Sequence, residues 1–133
     1  MEINITITSG DIVINTKAKT LEYKFDDLDD SGFDKNNKYL IKVKFTGDIS
    51  DKTRNETLKF LEWSLDTDEN VYRDIEIEVK ASAKESRRIY KLEGAFIADY
   101  IENFVDGTSG TYTVNLVQRK ENTDKEKVKF YAE

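Results

Sequence analysis

Residues 90–104, "YKLEGAFIADYIENF", decide the fold. Through Leu92 the run alternates polar and apolar side chains, the period-two pattern of a strand with one wet face. After Gly94 the pattern changes. Ala95, Phe96, Ile97, Ala98, Tyr100 and Ile101 place apolar groups on both faces. Such a half-strand needs a cover on each side. A glycine at the switch fits a bulge or a bend, where a strand gains a residue or turns sharply.

The same alternation recurs on both sides of this run. "INITI" (3–7) alternates Ile3, Ile5 and Ile7 with polar residues, and "IVIN" (12–15) follows the turn "SGD" as a second short strand. "TLEYKF" (20–25) and "YLIKVKFTGDI" (39–49) repeat the pattern around "DDLDDSGFDKNNK". That intervening segment is rich in the Asp, Asn, Ser and Gly that make turns. Further on, "YRDIEIEVKASA" (72–83), "TYTVNLVQRK" (111–120) and "KVKFYA" (127–132) read as strands. One segment departs from the pattern. In "SDKTRNETLKFLEWSL" (50–65), Leu58, Leu61 and Leu65 recur at helical spacing, with Phe60 and Trp63 flanking. The spacing predicts one amphipathic helix over about 53–66, capped by Ser50 or Asp51, with its leucine stripe docked on the sheet. The expected fold is mainly β: a small antiparallel β-barrel or sandwich of seven to eight strands with one helix. A chain of 133 residues is expected to form a single domain, 1–133.

Composition narrows the function. The chain is 36% charged with a net charge of −6, and cations are interspersed with acids, so no basic footprint for nucleic acid appears. No run of about 18 apolar residues points to a membrane span. The first residues do not read as a signal peptide, so a cytoplasmic origin is expected, with export by a leaderless route as the alternative. Histidine and cysteine are absent. The usual zinc sites and Ser-His or Cys-His nucleophile pairs therefore cannot form. The chain is not expected to be an enzyme or to carry a cofactor or metal.

Two segments invite a ligand reading. Asp27, Asp29, Ser31 and Gly32 fall at the first, third, fifth and sixth positions of a calcium loop. Lys38 stands where that loop needs a bidentate Glu, and a strand rather than a helix precedes it. A solvated acidic turn is the simpler account, with weak Ca²⁺ binding as the alternative. "GTSG" (107–110) lacks the Lys and the following helix of a phosphate loop. The seven Tyr, seven Phe and one Trp could form a sugar-binding platform, but alternate strand positions usually mean core packing. A monomeric β-sandwich that binds carbohydrate or a protein partner is the alternative to a self-assembling structural protein.

The order of elements carries a resemblance. Tyr90, Leu92, Ala95, Ile97 and Tyr100 stand in a "Y-x-L-x-x-A-x-I-x-x-Y" strand that follows a single helix and leads to "GTYTVNLVQRK" and "VKFYAE". Over residues 20–131 the chain is similar to the tube proteins of contractile injection machines. These include the haemolysin-coregulated protein (Hcp) of type VI secretion and the tail-tube proteins of phages and phage-like bacteriocins. The resemblance implies a hexameric ring, with sheets of adjacent copies joining around a channel and rings stacking into a tube. The partners it implies are further copies of the chain and the sheath or baseplate proteins of the same machine. Segment 26–38 would be the extended inter-strand loop, with Phe33 its apolar contact and Asp29 and Asp30 seeking cations on the adjacent copy. Gly94, Ala95, Phe96, Ile97 and Tyr100 complete the candidate interface.

Overall fold

Alternating β-branched side chains build the sheet in pairs. In the computed structural model, which describes residues 1–27, 39–67, 71–81, 87–118 and 128–132, β1 (Glu2–Ser9) pairs antiparallel with β2 (Ile12–Ala18) and with β5 (Arg73–Lys80). Ile7 stands opposite Ile14 on one side and Ile75 on the other. All three point inward and are at most 2% exposed. Burial of each such side chain contributes about 2 kcal/mol. The outward positions of the same strands carry Asn4, Thr6, Glu76 and Glu78, which keep the other face wet.

The remaining elements are β3 (Thr20–Asp27), β4 (Tyr39–Ile49), α1 (Arg54–Leu65), β6 (Arg87–Asn103), β7 (Gly110–Gln118) and β8 (Val128–Ala132). All pairings are antiparallel. Strand order is β2-β1-β5-β6-β7-β4-β3, and β8 joins β6. The mainly β expectation of seven to eight strands and one helix therefore holds, with eight strands among the described residues.

Closure into a barrel does not occur. Among the described residues the sheet ends at β2 and β3, and no ladder joins them. The reason lies in the chain. β2 and β3 are one run of backbone broken only at Lys19, so they lie end to end rather than side by side. Lys19 N–H donates to the Thr46 carbonyl at 2.7 Å as the chain crosses between the two ends of the sheet.

The helix closes one mouth of this curled sheet, but not with the expected face. Thr57, Phe60 and Trp63 are its buried residues. Leu58, Leu61 and Leu65 point outward and are 56%, 39% and 73% exposed. Phe60 meets Phe45 edge-on at 5.7 Å and Tyr112 at 5.6 Å. Aromatic rings bury more surface per residue than leucine and meet other rings edge-on, so this face gains more from the core. The cap differs too. Thr53 rather than Ser50 or Asp51 is the N-cap, and its side chain makes no capping bond. Its hydroxyl instead donates to the Asp48 carbonyl at 2.6 Å and ties the helix start to the end of β4.

Candidate subunit interface

The switch at Gly94 is a bulge. Ile75 pairs with Leu92 and Arg73 with Ala95, so Glu93 and Gly94 together stand opposite Asp74. Gly94 has φ 70°, a conformation in which a Cβ would be strained. Its N–H donates to Asp74 Oδ1 at 3.1 Å, which holds the extra residue in place. Behind the bulge, Gln118 is 1% exposed and its Nε2 donates to the Glu93 carbonyl at 3.1 Å. A second irregularity lies between Ile97 and Asp99 in the pairing with β7.

These bulges sort the apolar half-strand. Ala95, Ile97 and Tyr100 face the core, opposite Gln118, Leu116 and Val114 of β7. Ala95 is fully buried, whereas Ile97 and Tyr100 are partly buried. Phe96 and Ile101 take the outer face. Phe96 meets Tyr72 edge-on at 6.0 Å, and Ile101 is 41% exposed. The chain thus supplies one cover for this half-strand, its own core and helix, while on the outer face Tyr72 meets Phe96 and Ile101 is exposed. β5 reaches no further than Ala95, so from Phe96 to Asn103 the edge of β6 opposite β7 meets no strand among the described residues.

Tyr100 links this half-strand to the helix. Its hydroxyl donates to Glu102 Oε1 at 2.7 Å and lies 3.3 Å from the Thr57 carbonyl. Burial first, and then the neighbouring Glu102 carboxylate, push the Tyr100 phenol well above its ordinary value. It stays neutral and acts as a fixed hydrogen-bond donor.

The other residues predicted to lie at an interface, Asp29, Asp30 and Phe33, fall outside the described residues, as do Ser31, Gly32 and Lys38 of the acidic turn. Sequence reasoning missed several exposed apolar residues. Phe104 and Val105 follow β6 at 68% and 65% exposure, and Phe130 and Tyr131 on β8 are 69% and 42% exposed. Phe104 and Val105 carried a signal, two large apolar residues directly before the turn at Asp106–Gly107. Phe130 and Tyr131 did not, because adjacent aromatics on a strand fit either face.

The hollow between β1, β5, β6 and β8, about 220 Å³, is lined by Thr6, Thr8, Ile75 and Leu92, with Asp74, Glu76 and Glu93 facing Lys91 and Lys129. Among the described residues no group of three or more His, Cys, Asp or Glu could hold a metal ion. Phe45, Phe60, Trp63 and Tyr112 are consumed by the core rather than displayed as a platform. No helix among the described residues is long and apolar enough to cross a membrane.

No protein-family model and no curated protein sequence matches the chain. Solved structures do match in fold. A chain of the anti-feeding prophage cap, which terminates the tube, aligns with a TM-score of 0.57 at 11% identity, covering 97% of this chain and 88% of its own. A crystal structure of an Hcp protein aligns at 0.55 and 12% identity, covering 90% and 88%. A chain of the PVC sheath–tube complex, an extracellular contractile injection system in its extended state, aligns at 0.53 and 13% identity, covering 98% and 88%. The chain has the Hcp-like tail-tube fold.

Proposed function

We propose that this chain is a structural subunit of the inner tube of a phage tail or a phage-tail-like contractile injection machine. One observation carries the reading: the fold matches a tube-terminating cap and a sheath–tube complex across 97% and 98% of this chain. On the outer face, Ile101 is exposed and Phe96 is met only by Tyr72 among the described residues, which supports a surface for a further copy. In this reading six copies close a ring, and rings stack into a tube. The partners are further copies and the sheath or baseplate proteins of the same machine. The chain works by assembly and catalyses nothing.

Light scattering coupled to size exclusion, over a range of protein concentration, tests it. The expected mass is six-fold that of the 15.4 kDa chain, with longer stacks at high concentration, and electron microscopy should show rings with a central channel. A monomer at every concentration, with no rings after addition of a preformed tube end, overturns the proposal.

A further inference from the structure

A hollow of about 410 Å³ lies between the ends of β2 and β4 and the first turn of α1. Thr53 and Glu56 are spaced as a capping box, in which the carboxylate turns back to the Thr53 amide. That amide is already given to the Ser50 carbonyl at 3.1 Å, and the Thr53 hydroxyl to the Asp48 carbonyl at 2.6 Å. No side chain therefore caps the first turn of α1, and the positive end of the helix dipole meets the hollow. The Glu56 carboxylate is left there as well. Its Oε2 is buried, and no donor among the described residues reaches it.

A second buried polar atom lies beneath the same hollow. Tyr112 is 1% exposed, and its hydroxyl makes no hydrogen bond of good geometry. Tyr112 stands opposite Gly47, and a Cβ on Gly47 would lie 2.5 Å from the hydroxyl oxygen. Gly47 lines the hollow, and so do Thr16, Asp48 and Glu56, the polar neighbours of that oxygen. Burial first pushes the phenol above its ordinary value, Thr16 offsets part of that, and Asp48 and Glu56 add to it. The hydroxyl keeps its proton and stands as a donor. Buried polar atoms in folded proteins nearly always have partners, so two without one in a single hollow point to a ligand.

The charges at the rim say which kind. Lys17 is engaged by Glu2 at 2.7 Å and Lys19 by Asp48 at 3.8 Å, whereas Lys52 makes no ion pair among the described residues. Three lysines against Asp48 and Glu56 leave one positive charge in excess, and the helix dipole adds to it. A small cation is repelled by that excess. A bare anion satisfies Lys52 but meets the Glu56 carboxylate, which only accepts hydrogen bonds. An anion that also carries hydroxyl groups satisfies both.

We propose that this hollow binds a small hydroxylated anion, a polyol acid or polyol phosphate. Its charged end is held by Lys52 and the first turn of α1, and one of its hydroxyls donates to Glu56. The Tyr112 hydroxyl donates from below. Glu56 is half-buried as a residue, so its side chain turns to admit the ligand. This goes beyond the tube reading and does not depend on it.

Isothermal titration calorimetry of the full chain tests it with glycerate, glycerol 3-phosphate, glycerol and sulfate. Glycerate or glycerol 3-phosphate should bind at least about ten-fold more tightly than glycerol, which lacks the charge, and than sulfate, which lacks the donors. The tighter of the two tells whether a carboxylate or a phosphate heads the ligand. Lys52→Ala and Tyr112→Phe should each weaken that binding about ten-fold, the loss of one hydrogen bond to a charged group. Glu56→Gln should weaken it too but strengthen sulfate binding, a crossed effect that damage to the fold does not produce. Circular dichroism checks that each variant keeps the fold. No binding tighter than about 10 mM overturns the proposal. So does unchanged binding in Glu56→Gln. Equal affinity for sulfate and the hydroxylated anions means an adventitious ion only, and overturns it as well.

Discussion

The guanidinium carbon of Arg73 sits 4.7 Å from the centre of the Trp63 indole. Arg73 is 5% exposed and Trp63 fully buried, so this cation–π contact is shielded from water. Arg73 Nη2 also donates to Asp66 Oδ2 at 3.1 Å, and Trp63 Nε1 donates to the Val71 carbonyl at 2.9 Å. These contacts fasten the end of α1 to the first residue of β5. They hold the aromatic face of the helix over the mouth of the sheet.

Removing Asp66 should therefore cost more than replacing Arg73 by an apolar side chain, because the one-third-exposed Asp66 carboxylate stays solvated when its partner is lost. Asp66→Ala leaves Arg73 charged and buried, at about 3 kcal/mol, the low end for a broken buried pair because Asp66 is one-third exposed. Arg73→Met keeps the stem against Trp63 and should cost less than about 1.5 kcal/mol. Urea denaturation of the two variants checks the order.

Gly94 should resist every side chain. At φ 70° a Cβ costs about 1–2 kcal/mol, so Gly94→Ala should lose that much and Gly94→Val more. Asp74→Ala, which removes only the side-chain acceptor of Gly94 N–H, should lose about 1 kcal/mol. Thermal unfolding resolves the series, and a Gly94→Val variant as stable as the parent would refute the bulge.

Gly47 is needed for a different reason, the close approach of a ring. A Cβ there would lie 2.5–2.7 Å from the ring and hydroxyl of Tyr112. Gly47→Ala should cost about 1–3 kcal/mol, the usual range for overpacking. Tyr112→Leu should relieve part of that cost in the double variant, a non-additivity that a double-mutant cycle reads directly. Tyr112→Phe alone should be close to neutral, because the buried hydroxyl makes no hydrogen bond of good geometry.

On α1 the outward leucines and inward aromatics should behave oppositely. Leu58→Gln and Leu65→Gln should stay within about 0.5 kcal/mol of the parent, and Phe60→Ala should lose about 3–5 kcal/mol. Chemical denaturation of the monomer is the measurement. A large loss at Leu65, 73% exposed, would place the helix on the wrong face.

Acid should weaken the fold through Glu78. Its hydrogen bond from Asn4 first, and then that from Arg87, hold the carboxyl below its ordinary value of 4.5. A carboxyl depressed in the folded state stabilises fully above the unfolded value and loses that contribution as pH falls through the folded one. Stability should therefore hold above about pH 5 and decline below 4.5, and Glu78→Gln should flatten that decline. The pH dependence of the denaturation midpoint for both proteins checks it.

The strands were legible because their signal is local. Ile3, Ile5 and Ile7, or Ile75, Ile77 and Val79, show which residues share a face before any partner is known. Gly94 was legible for the same reason, as a break in such a run. The helix was legible in place but not in orientation. Its leucines and its aromatics both recur at helical spacing, and only contacts with distant segments, such as Phe60 against Phe45 and Tyr112, chose between them. The apolar outer face at Phe96 and Ile101 was visible as an excess of apolar residues, but not which of the two faces would turn to the core.

The sequence by itself determined the strand periods, the helix at about 53–66, a bulge or bend at Gly94 and the absence of imidazole and thiol chemistry. Each follows from the side-chain types of neighbouring residues. The tertiary structure alone decided that the sheet stays open between β2 and β3, that Phe60 and Trp63 turn inward, and that Arg73 is buried against an indole ten residues earlier in the chain. These depend on contacts between segments distant in sequence or joined by a turn whose direction no local pattern encodes. There the free energy of filling a common core outweighs the preference of any one residue.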